Sequence, residues 1–149
     1  MADFVFNIAK GRIGYYAGLP ATNDALIVVP LEATGLETDA TLKDYDTLAL
    51  LLAGTSNEQT TLTRKTATSV TWTVTDASDI ATLDFADIVY TGATGNAVGA
   101  LVVCYDPDTT GGTDADLIPL TKHTFAVTPD GSDITAQVDT AGIAVSSDA

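Results

Sequence analysis

The feature that most constrains the fold of this chain is the alternation of apolar and threonine residues over short segments. Val70, Trp72 and Val74 alternate with Thr71, Thr73 and Thr75. A period of two places each set on its own face of a β-strand. Thr makes up 25 of the 149 residues, and Thr favours strands and is poor in helix interiors. We therefore expect a mainly β protein.

Similar segments recur along the chain and are separated by turn residues. We predict strands at 3–9, 25–29, 68–86 (a hairpin with Trp72 on its buried face), 88–90, 97–105, 123–127 and 134–138, and a short strand at 15–16. The apolar run 25–29 is typical of a strand buried on both faces. The turn signal Pro129-Asp130-Gly131 predicts that the last two strands form a hairpin. The expected architecture is one β-sandwich or jelly-roll-like domain over residues 1–149, with a flexible tail from about residue 144.

One segment breaks the β pattern and predicts a single short α-helix. Residues 44–53 begin with acids and are followed by Gly54. Asp44 suits the N-cap, and Gly54 suits the end of the helix. Leu48, Leu51 and Leu52 recur at i, i+3 and i+4, so they share one face. We expect a helix of about three turns.

The charge of the chain argues against two classes of partner. Twenty acidic residues face six basic ones, for a formal net charge of −14. Binding of nucleic-acid phosphates needs clustered Lys and Arg, and an anionic membrane surface repels an acidic chain. The longest apolar runs, 25–31 and 48–53, are far shorter than the ~20 residues of a membrane span. We expect no nucleic-acid and no membrane partner.

The residues that carry most enzyme chemistry are sparse. The single cysteine, Cys104, excludes a disulfide framework and a cysteine zinc site, and it lies in an apolar run that predicts a buried strand. His123 is the only histidine, and the chain has neither a Gly-x-Ser-x-Gly elbow nor a phosphate-binding loop. Carboxylate pairs such as Asp84 with Asp87 lie in turns, where solvation explains them. We predict a non-enzyme with no catalytic, cofactor-binding or metal-binding residues.

The acidic loop 106–116 is the best metal candidate that the sequence offers. Ca²⁺ takes six to eight oxygen ligands, and Asp-x-Asp followed by Gly can curl around one. The spacing departs from an EF-hand loop, because Thr110 stands where Asp or Asn is preferred and Leu117 occupies the bidentate Glu position. A solvated turn between two strands explains the same residues, and we favour that interpretation.

Five segments of the chain resemble small proteins encoded among the virion genes of tailed bacteriophages. They are residues 1–11 (MADFVFNIAKG), 25–30 (ALIVVP), 101–109 (LVVCYDPDT), 117–121 (LIPLT) and 128–133 (TPDGSD). The segments are spread over most of the chain and carry no catalytic signature, while residues 142–145 depart from the more aromatic ending of such proteins. It implies a structural component of the particle. Capsid decoration (cement) proteins are small, β-rich and without active sites, as are several neck and tail components.

Charge favours one position within the particle. Packaged DNA would repel a chain of net charge −14, whereas the outside of the shell is compatible with it. We expect a capsid decoration protein on the outer head surface, made in the host cytoplasm, bound to the major capsid protein and associated as a dimer or trimer. The alternatives are a neck or tail component, or a soluble Ca²⁺- or glycan-binding β module that uses the 106–116 loop.

The segment Ala2–Tyr16 is the best candidate for contact with a partner. It holds one acid, Asp3, against Lys10 and Arg12, in a chain that is otherwise strongly acidic. It could dock on an acidic partner or add a strand to a neighbouring sheet edge. The alternative is a core strand that carries two surface bases, with an exposed Tyr15 or Tyr16 as the next candidate for the interface.

Overall fold

A computed structural model of the protein describes residues 1–147. The strands are β1 (Phe4–Val5), β2 (Ala25–Glu32), β3 (Lys65–Thr66), β4 (Thr71–Thr75), β5 (Ile80–Asp84), β6 (Ile88–Tyr90), β7 (Val98–Asp106), β8 (Ile118–Val127), β9 (Ile134–Ala136) and β10 (Ala144–Ser147). The helices are α1 (Ile13–Ala17), α2 (Asp39–Leu42) and α3 (Leu48–Ala53), with 3₁₀ turns at Asn7–Ala9 and Thr60–Leu62. The predicted mainly β, sandwich-like fold is confirmed.

A five-stranded antiparallel sheet with the order β1-β8-β7-β2-β3 forms the middle of the molecule. Strand β2, which lies between β7 and β3, has Leu26 and Val28 in one hydrophobic cluster, and Ile27 and Val29 in another. Because successive side chains of a strand point to opposite faces, both faces of this sheet are covered. The prediction that residues 25–29 are buried on both faces is confirmed.

Different elements cover the two faces of the central sheet. On one face lie α1, a three-stranded sheet (β10-β5-β4) and a two-stranded sheet (β6-β9), which contribute Tyr16, Leu83 and Ile134 to the core. On the other face lie α2 and α3, which bury Leu42 and Leu48. The domain therefore has three layers, with the central sheet in the middle.

The predicted helix is present but shorter than expected. It begins at Leu48, because the Oγ1 of Thr47 accepts the Leu50 N–H at 3.3 Å and so caps the helix in place of Asp44. Leu48 and Leu51 are buried as predicted, and Gly54 is the C-cap. The prediction of a single helix is wrong, since α1 and α2 also form.

The short strand predicted at Tyr15 and Tyr16 is wrong, because these residues lie in α1. Ile13, Tyr16 and Ala17 are the buried residues of this helix, and their i, i+3, i+4 spacing is helical. Tyr16 packs against Tyr105 with ring centroids 4.8 Å apart, whereas Tyr15 is 64% exposed. One tyrosine is therefore core and its neighbour is surface.

Two predictions near the end of the chain are also corrected. The hairpin expected around Pro129-Asp130-Gly131 does not form, because β9 pairs with β6 and not with β8. In addition, residues 144–147 of the predicted tail form β10, which pairs with β5. The last two residues of the predicted tail, 148–149, lie outside the described residues.

The β4–β5 hairpin is present as predicted, and β4 forms one edge of its sheet. Trp72 pairs with Leu83, which pairs with Ala144, so these three side chains share the face that packs on the core. Val74 follows Trp72 on that face but is 61% exposed. The hairpin therefore extends past the core at Val74.

Candidate functional site

The acidic loop 106–116 uses its carboxylates to hold its own shape. Asp106 Oδ1 accepts the Asp108 N–H at 3.0 Å, Asp108 Oδ1 accepts the Thr110 N–H at 3.0 Å, and Asp116 Oδ2 accepts the Thr113 N–H at 2.8 Å. Hydrogen bonds from the Thr110 hydroxyl and N–H lower the pKa of Asp108. These are local turns in which side chains satisfy the backbone.

The remaining acid of the loop, Asp114, forms an ion pair. Arg64 donates to both of its oxygens, at 2.6 and 3.0 Å, and to both oxygens of Glu58, at 2.8 and 2.6 Å. The Arg64 hydrogen bonds lower the pKa of Asp114 against the opposing effect of burial. Across residues 1–147, no three His, Cys, Asp or Glu side chains come together in a way that could hold a metal ion.

The residues considered for catalysis lie apart. Cys104 is fully buried beside the helices, and burial raises the pKa of its thiol. His123 lies on the other face of the central sheet, where it is the cross-strand partner of Leu101. Its Nδ1 is 3.4 Å from Asp3 Oδ2 and its Nε2 is 2.9 Å from Thr121 Oγ1. Cys104 and His123 therefore cannot act as a nucleophile and its base.

His123 and Asp3 line a pocket of about 290 Å³ whose walls are mostly apolar. Burial lowers the pKa of His123 although the nearby Asp3 raises it. Burial also raises the pKa of Asp3, but the hydrogen bond from the Thr124 N–H and the contacts with His123 outweigh burial, so the pKa is lowered. At neutral pH this arrangement is an ionised carboxylate beside a neutral imidazole.

The carboxylate pairs and the glycine-rich loop have structural partners. Asp84 and Asp87 accept the N–H groups of Phe85 and Val138, and Asp130 and Asp133 accept those of Ser132 and Gly92. In the loop 92–96, the carbonyls of Thr94 and Asn96 accept the side-chain amide of Gln59 at 3.1 and 3.0 Å. Each of these groups caps or braces a turn.

The start of the predicted docking segment is built into the central sheet. Phe4 and Val5 pair with Lys122 and Thr121, and the Phe6 N–H donates to Leu120 O. Phe6 is fully buried. The first half of the segment therefore contributes to the core, as the alternative interpretation expected.

A buried lysine reinforces this attachment, and sequence reasoning missed it. Lys122 is fully buried, and its Nζ donates to Ala2 O at 2.9 Å, to Thr124 Oγ1 at 3.1 Å and to Asp39 Oδ1 at 3.3 Å. The Ala2 N–H donates to Asp39 Oδ2 at 2.6 Å. This hydrogen bond, together with the hydrogen bond from Lys122 and its positive charge, lowers the pKa of Asp39 against the opposing effect of burial.

The second half of the segment lines a groove at the surface, which we call the α1 groove. Its volume is about 430 Å³, and its lining residues are Val5, Lys10, Gly11, Ile13, Gly14, Tyr15, Trp72 and Ala144. No acid is among them. Gly14 lets α1 approach the indole ring of Trp72 closely, because a Cβ at this position would lie 2.9 Å from the ring and one of the two would have to shift. The groove therefore combines two aromatic rings with the ammonium of Lys10.

The two exposed bases among the six of the chain are Lys10, which lines the α1 groove, and Arg12, which is next to its lining residues Gly11 and Ile13 in sequence. Arg64 and Lys122 form ion pairs, and Lys43 and Lys65 lie over the rings of Phe4 and Tyr90 at 5.1 and 5.6 Å. Sequence reasoning found Lys10, Arg12 and Tyr15 but assigned Trp72 to the core alone.

No family model, no curated protein and no solved structure matches the chain. Within residues 1–147, none of the helices has the length and apolar character needed to cross a bilayer.

Proposed function

We propose that the protein is a virion structural component of a tailed bacteriophage, a capsid decoration protein that binds the major capsid protein from outside the head. The observation that carries the proposal is the α1 groove. It is an acid-free surface with an exposed Tyr15 and a half-buried Trp72, beside the two exposed bases of a chain with net charge −14.

The composition of the groove is suited to contact with another protein. Tyr, Trp and Arg are the residues most enriched at energetically important positions of interfaces, and aromatic rings supply large contact areas. An acidic patch on the shell would complement Lys10 and Arg12, whereas the rest of the acidic surface would resist wrong contacts. The same acidity disfavours a position facing the packaged DNA.

The groove supports a decoration role and a neck or tail role equally, and the net charge of −14 favours a position outside the head, away from the packaged DNA. The Ca²⁺- or glycan-binding alternative depended on the 106–116 loop. The carboxylates of that loop are already held by its own N–H groups and by Arg64, so the described geometry gives this alternative no support.

The proposal is tested by co-sedimentation of the purified protein with expanded heads that carry no decoration protein. We expect Tyr15→Ser to lower occupancy at least tenfold, since aromatic anchors at interfaces cost ~2 kcal/mol or more on truncation. The matched control is Leu50→Ser on α3. Leu50 is 53% exposed, comparable to Tyr15, but lies in the helical layer across the central sheet.

Charge is tested separately. Lys10→Gln with Arg12→Gln should weaken binding, and the loss should shrink at high salt because screening removes the same attraction. The control Thr91→Glu with Thr135→Glu changes the net charge equally at exposed positions outside the groove. If wild-type protein does not bind heads, or if both groove variants bind as well as wild type, the proposal is wrong.

A further inference from the structure

Among the strand edges in the described part of the chain, that of β4 is the longest that carries no charge. Its five residues, Thr71–Thr75, include no charged residue and no proline. The outer strands of the central sheet, β1 and β3, have only two residues each. Short edges and edge charges are the usual protection against pairing with another chain, and β4 has neither.

The backbone of β4 is open on its outer side. β5 pairs with one side of β4, and no strand within residues 1–147 pairs with the other. Apart from the Ser78 contacts to Thr75 O at the hairpin turn, the hydrogen bonds that reach the β4 backbone are those to β5. Thr71, Thr73 and Thr75 are exposed, and Val74 is 61% exposed. Unpaired N–H and C=O groups in this arrangement form a template for a further strand.

We propose that a second copy of this chain is that strand, and that two copies pair antiparallel through β4 about a two-fold axis at Thr73. This register places Thr73 opposite its own copy and Thr71 opposite Thr75. It also places Trp72 of each copy opposite Val74 of the other. An isologous contact requires such self-complementarity, because one patch must fit itself.

Each pair in this register is favourable. An aromatic residue opposite a β-branched one, and Thr opposite Thr, are stabilising cross-strand combinations on their respective faces. The exposed Val74 gains an apolar neighbour, and the two three-stranded sheets become one continuous six-stranded sheet. The contact accounts for an apolar side chain that the monomer leaves 61% exposed.

The position of the acids also favours the antiparallel arrangement. The hairpin turn carries Asp76 and Asp79. With the axis at Thr73, Asp76 of each copy lies across from Val70 of the other. The two Asp76 residues are therefore separated by about six residues along the strands, or about 20 Å at ~3.4 Å per residue. That separation exceeds the Debye length of about 8 Å at physiological ionic strength. A parallel pairing would place the two acidic turns side by side.

The register is tested by disulfide cross-linking under mild oxidation. Thr73→Cys should form a covalent dimer, because directly opposite residues have Cα atoms about 4.5–5.5 Å apart and disulfides span about 4.4–6.8 Å. The matched control is Thr71→Cys, whose two copies would lie about 14 Å apart along the strands. The native Cys104 is fully buried and adds no accessible thiol. Equal cross-linking of the two variants would overturn the proposed register.

The association itself is tested by sedimentation equilibrium of the wild-type protein and of two lysine variants. We expect a concentration-dependent dimer whose dissociation constant rises at least tenfold in Val74→Lys, because two lysines then enter the pairing. Val89→Lys is the control, since Val89 is a strand residue with 45% exposure on β6. A chain that stays monomeric at millimolar concentration, or equal dissociation constants for the two variants, overturns the proposal.

This inference is independent of the capsid role. Both experiments use the free protein in solution, so a failure of head binding leaves them unaffected. Because two copies of equal charge repel, the dimer should strengthen as salt rises. If β4 instead binds the shell alone, Val74→Lys will lose head binding while wild-type protein remains monomeric, and that result overturns self-pairing.

Discussion

Replacement of Asp39 by Asn tests the buried lysine that attaches the N-terminal strand to the central sheet. Lys122 is fully buried, and its ammonium has oxygen partners on Ala2, Thr124 and Asp39. Asn has the shape of Asp and keeps an oxygen acceptor. The substitution therefore removes the negative charge opposite Lys122 while leaving a hydrogen bond available.

The expected cost follows from the geometry. At 3.3 Å and an effective dielectric constant near 20, a pair of unit charges attracts by ~5 kcal/mol. The Asp39 side chain is 22% exposed, so water screens the pair from that side. We expect Asp39→Asn to lower the free energy of unfolding by about 1–3 kcal/mol, because Lys122 is left as a buried charge without its partner.

Urea unfolding measures this change, with Asp44→Asn as the matched control. Asp44 is an exposed carboxylate that accepts Asn7 Nδ2 at 2.6 Å, and its replacement should cost less than ~0.5 kcal/mol. Adding Lys122→Met to Asp39→Asn should recover stability, since the uncompensated charge is then gone. A loss below ~0.5 kcal/mol in Asp39→Asn, or a further loss in the double variant, would refute the reasoning.

Three further predictions rest on individual side chains. Gly14→Ala should destabilise the protein and shift the fluorescence emission of Trp72 to the red, because the new methyl group would lie 2.9 Å from the indole ring. The control Gly18→Ala should have neither effect, since its nearest contact is at 3.4 Å. Cys104, fully buried with a thiol pKa raised by burial, should react with a thiol reagent only as fast as the protein unfolds. Burial lowers the pKa of His123, so as the pH falls the unfolded chain binds a proton at His123 before the folded protein does. The free energy of unfolding should therefore decrease as the pH falls below about 6.5. Thermal melts between pH 7.5 and 5.5 should show a larger decrease in melting temperature for wild type than for His123→Gln.

Local patterns were sufficient where the structure depends on neighbours in sequence. The apolar run 25–29, the Thr alternation of β4 and the apolar run that contains Cys104 all became strands. The periodicity of apolar residues indicates which face of a strand or helix is buried, and it can be read from the sequence of that segment alone. The α1 helix was missed although its signal was present, since Ile13, Tyr16 and Ala17 follow helical spacing.

Pairings between distant segments could not be predicted from the sequence. A turn signal at residues 129–131 suggested a hairpin, but β9 contributes Ile134 to the core by pairing with β6. The α1 groove exists because the fold brings Trp72 beside Gly14. Lys122 resembles any surface lysine until Asp39 and the Ala2 carbonyl are placed around it. Each of these features depends on tertiary contacts, which override local preference.

The pairing of β1 with β8 has a consequence for synthesis of the chain. Ala2 and Lys122 are 120 residues apart in sequence, and translation proceeds at ~5–20 residues per second. The first strand therefore waits roughly 6–24 s for its partner strand to be synthesised, and the Phe6 N–H has no acceptor on β8 until Leu120 has been made. During that interval a chaperone can bind the N-terminal segment, and the strand that is made first is incorporated after β2 and β7 have been completed.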